Sequence, residues 1–186
     1  MLKTTTIALV GRDTGRTVTL IEHPALVADR LARDVMKRAG IGDLEGGIVA
    51  LALKHLPTIR ALGQVGLEML EQFVKFDPAA GDVTRIRDWH NIERLQQAAL
   101  ALHVGFMVDR EPLDIPVTMR AEQIMDGGAE IYATFCSPHI AAVLDSGKAT
   151  YRELETVLST EDSFNIVEIL NVRAVRDWHA AQSAKT

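Results

Sequence analysis

Residues 25–39 carry the most restrictive pattern in the chain. Ala28, Leu31, Ala32, Val35, Met36 and Ala39 recur at the 3.6-residue period of a helix, while Asp29, Arg30, Arg33, Asp34, Lys37 and Arg38 fall on the opposite side. Such a helix needs another element to cover its apolar stripe. Pro24 suits a first helical turn, and Gly40 and Gly42 stop the helix. Asp29 with Arg33, and Asp34 with Arg38, read as outward i,i+4 pairs worth a few tenths of a kcal/mol each. The cover comes from just upstream. Thr4 to Val10 and Thr17 to Glu22 are rich in β-branched residues and are separated by Gly11-Arg-Asp-Thr-Gly15, a hairpin signature. A lone hairpin is marginal in water, so it is predicted to pack on the helix, with Leu31 and Val35 buried between them.

Further along, Ile48 to Leu53 is apolar on nearly every side, which predicts a helix limited or kinked by Pro57 and buried against the first helix or another copy of the protein, with cover for a partner helix as the less favoured reading. A second helical stretch runs to about Phe76, and Asp77 to Gly81 reads as a loop. Asn91 is placed to cap a helix whose stripe is Ile92, Leu95, Ala99 and Leu102. The period then changes from 3.6 to two: Leu113, Ile115, Val117 and Met119 alternate with Asp114, Pro116 and Thr118. Pro112 and Pro116 confine such a segment to a sheet edge or an extended arm. Residues 105–118 are therefore read as a linker lying across a surface, and Leu113, Ile115, Val117 and Met119 as candidate partner-binding residues. Helices return with Ser137-Pro138, closed at Ser146-Gly147. Thr150 with Glu153, and Ser159 with Asp162, match the capping box and predict two more helices. The last should span about Thr160 to Gln182, with Phe164, Val167, Leu170, Ala174, Trp178 and Ala181 as its stripe. The expected fold is α+β, mainly α, with an N-terminal β-hairpin packed on amphipathic helices and followed by a C-terminal helical segment. Residues 1–104 form a hairpin plus helical domain, 105–118 the arm, and 119–186 a C-terminal helical subdomain.

Composition narrows the function. Of 186 residues, 47% are hydrophobic and 24% charged, which is globular rather than disordered. One cysteine, Cys136, excludes an internal disulfide. No apolar run nears the roughly 20 residues of a bilayer span, and Ile7 to Val10 is too short for a signal-peptide core. The cytoplasm is the expected compartment, with no membrane partner. A net charge of −5 argues against a dedicated nucleic-acid binder. The charge is polarised: residues 1–40 sum to +3, 41–104 to −2 and 105–186 to −6.

Each candidate for chemistry has a simpler reading. Gly40 to Gly47 is glycine-rich, yet it follows a helix and lacks the G-x-G-x-x-G spacing of a dinucleotide loop, so a helix stop and joint fit better. Cys136 and His139 have ligand-like spacing without a second pair. Asp88 with His90, and Asp177 with His179, sit two apart and cannot share a helix face. Trp89 and Trp178 are expected as buried anchors. No nucleophile elbow, zinc-helix or Walker motif occurs. Neither catalytic residues nor a metal or cofactor are expected.

Two segments resemble a known family. Gly15-Arg-Thr-Val-Thr-Leu-Ile-Glu-His-Pro24-Ala-Leu-Val-Ala-Asp-Arg-Leu-Ala32, a strand feeding through a proline into an amphipathic helix, resembles the amino-terminal part of tail assembly chaperones of long-tailed bacteriophages and prophages. Leu158-Ser-Thr-Glu-Asp162-Ser-Phe-Asn-Ile-Val-Glu168-Ile-Leu-Asn-Val-Arg-Ala174 is similar to the Ser-x-x-Asp and Glu-Ile-x-x-Val helix of small proteins from the same gene clusters. The resemblance implies a non-enzymatic role: binding the tape measure protein and recruiting tail tube protein before the tube polymerises, with a homo-oligomer as a further option. Two alternatives stay open: a structural tail component of the virion, and a small cytoplasmic enzyme in which His90, His139 and an acid converge.

Overall fold

A computed structural model describes residues 2–75, 85–119 and 133–184. Strands β1 (Thr4–Ala8) and β2 (Thr17–Ile21) form the expected antiparallel hairpin, with Thr6 opposite Thr19. A short β3 (Val74–Lys75) adds to β2, giving the order β1-β2-β3. The hairpin loop contains a 3₁₀ turn, Gly11–Asp13. Gly11 has φ +60°, and a Cβ there would lie 2.2 Å from Asp88 Oδ2, so glycine is required twice over.

Helix α1 (Ala25–Arg38) follows Pro24. Its end is a Schellman closure: Ile41 N donates to Met36 O, Gly40 N donates to Lys37 O, both at 2.9 Å, and Gly40 takes φ +73°. Ala28, Ala32, Val35 and Met36 are fully buried, as the stripe requires, whereas Leu31 is only half-buried. Asp29 departs from the amphipathic pattern. It is fully buried rather than outward, and α1 has a second apolar edge, Ala25 and Leu26, which feeds a separate core.

The predicted Ile48–Leu53 helix is a composite of α2 (Gly47–Ala50), a π-helical segment (Leu51–His55) and α3 (Leu56–Ala61). Proline cannot donate to the carbonyl one turn back, and its ring crowds it. A π segment just ahead of Pro57 loosens that turn so the helix continues instead of breaking. The inserted residue turns the downstream face by about 100°. Ile48 and Leu51 stay buried, but Leu53 is 65% exposed, contrary to the expectation of all-round burial.

Helix α4 (Gln64–Phe73) leads into β3, and the expected loop at 77–81 lies outside the described residues. Helix α5 (Trp89–Val104) is capped by Asp88, whose carboxylate accepts from His90 N. Asn91 is thus inside the helix and not its cap. Its side chain accepts from Val10 N (3.0 Å) and donates to Val10 O (2.9 Å) and Asp13 Oδ2 (3.0 Å), tying α5 to the hairpin. Asp13, also buried, accepts from Arg87 N and Asp88 N and pairs with Arg16, and these contacts hold its carboxyl below the usual range although burial pushes the other way. Trp89, expected inside, is 47% exposed, with Nε1 donating to Glu93.

After a 3₁₀ turn (Gly105–Met107), residues 110–116 have no helix or strand, and 117–119 turn helical. The arm is therefore extended only in part. Helices α6 (Pro138–Asp145), α7 (Tyr151–Thr156) and α8 (Thr160–Ser183) complete the chain. Both capping boxes form, Thr150 with Glu153 and Ser159 with Asp162. Two cores result. One joins the sheet, the inner face of α1 and helices α2 to α5; the other joins Ala25 and Leu26 to Cys136, Ile140, Val143, Ala149 and Leu154. Leu158 O accepts the first amide of α1, Ala25 N, at 2.7 Å, which fastens the entrance of α8 to that helix. Beyond Ser163 nothing on α8 is fully buried: Phe164, Val167, Leu170, Ala174 and Trp178 are half-buried and Ala181 is exposed.

Candidate functional site

The π segment and α3 run beside the C-terminal half of α5, and the two do not close over each other. Between them lies a groove of about 540 Å³, floored by Leu56, Leu100 and Val104 and walled by Leu53, Ala101 and Val108. Val108 is 85% exposed and Leu53 65%. Two large aliphatic side chains thus stand in water on the rim of one concavity. The polar lining is Arg60 and Gln97. Arg60 is held by Gln96 Oε1 (3.3 Å) and the Glu93 carbonyl (3.0 Å), both neutral acceptors.

Met107 is shared with a second groove of about 350 Å³, bounded by Leu113, Phe164, Val167 and Asn171. Arg110 organises it. Its guanidinium donates to Asn165 Oδ1 (3.1 Å) and Phe164 O (3.2 Å), pairs with Glu168, and sits 5.7 Å from the Phe106 ring centre and 6.0 Å from that of Phe164. One arginine thereby anchors the start of the arm to α8. Behind it His139 stacks on Phe164 with ring centres 4.4 Å apart. Burial there lowers the imidazole pKa to about 4, and Nε2 is buried without a partner.

The four residues proposed from the alternating pattern do not share one environment. Leu113 lines the second groove, Leu113 and Ile115 are half-buried, Val117 is 80% exposed, and Met119 is buried at 7%. The helical turn at 117–119 replaces the period of two that would have put them on one side. Sequence reasoning missed Val108 and Arg110, and it favoured burial over partner binding for the Ile48 to Leu53 run that holds the exposed Leu53. An exposed Leu53 depended on the π insertion, which Pro57 hinted at, and nothing near Arg110 announces a partner on α8.

Other polar residues are occupied structurally. Asp29 accepts from Ser137 N (3.2 Å) and from the Ser137 hydroxyl, and a Cβ on Gly47 would lie 1.8 Å from its Oδ1. Burial raises its carboxyl pKa, against the pull of these bonds. Cys136 is buried in the second core, and burial raises its thiol pKa. His139 faces Phe164, and His90 is exposed at the start of α5, so the two histidines do not converge. His103 is buried at the back of α5, its Nε2 accepting from His23 N at 2.9 Å, with burial lowering its pKa to about 4. Among the described residues no three His, Cys, Asp or Glu side chains are placed to hold a metal, and no helix is long and apolar enough to cross a membrane. No family model, curated protein or solved structure matches the chain.

Proposed function

We propose that the protein is a non-enzymatic tail assembly chaperone of a bacteriophage or prophage, acting in the bacterial cytoplasm on the tape measure and tail tube proteins. The observation that carries this reading is the apolar groove rimmed by Leu53 and Val108. A protein that shields an apolar segment until assembly must keep a matching apolar surface open, and exposing two aliphatic side chains in one concavity disfavours the free protein unless a partner covers them. The strand-proline-helix pattern of residues 15–32 and the capped helix from Ser159 support the same family reading.

The test is co-expression with a tape measure protein and a tail tube protein from the same gene cluster, followed by affinity capture. Tape measure protein should stay in the supernatant and co-elute with the chaperone, and Leu53→Asp with Val108→Asp should lower capture by at least about tenfold. Tape measure protein that is equally soluble with and without the chaperone, and never co-elutes, refutes the reading.

A further inference from the structure

We propose that helices α6 to α8 dock on α1 as a separable unit held by a clasp of opposite charges, and that screening the clasp lets this unit open as a whole before the rest of the chain unfolds. The inference stands apart from the chaperone reading, because it rests on how the two cores meet. Among the described residues the first core has no member beyond Met107. In the second, Ala25 and Leu26 join a group that otherwise lies entirely within residues 133–167. Two side chains on one edge of α1 therefore link cores that are otherwise built from different parts of the chain. A further apolar contact, Phe106 against Phe164 with ring centres 5.6 Å apart, sits where the chain enters the arm.

The rest of the seam is polar. Lys3 pairs with Glu161, Arg30 pairs with Glu155 at 2.8 Å and lies 5.3 Å from the ring centre of Tyr151, and Arg33 donates to the Thr134 carbonyl at 2.7 Å. Both ion pairs set a cation of residues 1–40 against an acid of residues 105–186, so the +3 and −6 of those segments become an attraction across the seam. Their side chains are 34–46% exposed, which leaves the attraction open to screening by salt. Closing also withdraws two carboxylates from water. Asp29 is fully buried against Ser137, and Glu22 is 3% exposed, with Oε2 accepting from Lys3 N at 2.8 Å and Oε1 buried without a partner. Burial raises both carboxyl pKa values, and the charges of Glu161 and Asp162 push Glu22 further the same way. Opening returns both acids to water, which offsets much of what the clasp contributes and keeps the open form within reach of the closed one. Phe106 and Arg110, which hold Phe164 and Glu168, serve as the pivot, and residues 110–116, without helix or strand, supply the slack. Ala25, Leu26, Arg30 and Arg33 share the edge of α1 that opening bares. In the closed form α6 to α8 occupy that edge, so the contact is autoinhibitory toward anything else that would bind there.

The experiment is amide hydrogen exchange of the full chain, read by NMR at about 0.02 M and about 0.5 M sodium chloride. The reporters are the Ala25 amide, which donates to Leu158 O across the seam, and the amides of Ile140, Val143 and Leu154; Leu95, Ala99 and Leu100 of α5 are the internal reference. The reporters should share one opening, and the higher salt should speed their exchange at least about threefold relative to α5. At low salt Arg30→Glu should do the same, and Arg30→Glu with Glu155→Arg should restore protection, an outcome that a merely loosened surface would not give. Arg38→Glu breaks pairs with Asp34 and Glu68 inside the first unit and should leave the reporters unchanged relative to α5. The salt comparison uses the unaltered chain, so it decides the matter even if a variant folds poorly. Reporters and α5 exchanging together at both salt concentrations would show one cooperative unit and overturn the proposal. Separate opening that ignores both salt and Arg30→Glu, or a charge swap that fails to restore protection, overturns the clasp.

Discussion

Replacing Asp29 by alanine tests the least expected feature of the fold. An outward Asp29 paired with Arg33 would cost a few tenths of a kcal/mol to remove. In the structure the carboxylate is fully buried and accepts from both the amide and the hydroxyl of Ser137. Asp29→Ala leaves two buried donors without an acceptor, each worth about 1 to 3 kcal/mol, and gains back the desolvation of the carboxylate. The expected loss is about 2 to 4 kcal/mol. Ser137→Ala removes one charge-assisted donor and should cost about 1.5 to 3 kcal/mol. Because the two share that bond, the double variant should cost less than the sum by about 1.5 kcal/mol or more. Urea unfolding of the four proteins, monitored by circular dichroism, measures the cycle. Additive effects, or an Asp29→Ala cost below about 0.5 kcal/mol, would refute the buried latch.

Further tests address the histidines, the hairpin tether and the arm. His139 and His103, with pKa values near 4, remain neutral in the folded state while the unfolded chain takes up protons below about pH 6.5. Stability should therefore fall as pH drops from about 6.5 to 4, by about 3 kcal/mol per histidine as an upper bound; Glu22 and Asp29, whose carboxyls burial raises, act in the opposite sense. His139→Phe should flatten the slope measured by pH-dependent urea unfolding while keeping the stack on Phe164. Asn91→Ala, which severs three bonds to the hairpin, should cost about 2 to 4 kcal/mol in the same assay. Val117→Asp should leave the thermal midpoint unchanged, since the side chain is 80% exposed, and should weaken capture of tail tube protein if the arm contacts it.

Elements whose signals are local were legible in the sequence. Both capping boxes, the glycine stop at Gly40 and the β-branched runs on either side of the Gly11–Gly15 loop are written in contiguous residues, and each element formed where expected. Binary pattern failed where one helix serves two cores. Asp29 reads as solvated because it is charged, yet Ser137 lies 108 residues away and supplies the compensating donors. Asn91 resembles a cap by type, but Asp88 takes that position and frees the amide to reach Val10. Trp89 reads as a buried anchor, yet the first turn of α5 leaves it half in water. The groove was only partly readable: Pro57 marks a local disturbance, but which side chain the π segment turns outward depends on what α5 already covers.

The buried Asp29 also imposes an order of events on a ribosome. With Ser137 108 positions further along the chain, translation at about 5 to 20 residues per second leaves the carboxylate without its partner for roughly 5 to 20 s. During that interval Ala25 and Leu26 have no second core to enter, and a hydrated, ionised Asp29 beside them keeps that edge of α1 polar. The nascent hairpin and helix thus carry their own solubilising charge, which is withdrawn from water only when α6 arrives to receive it.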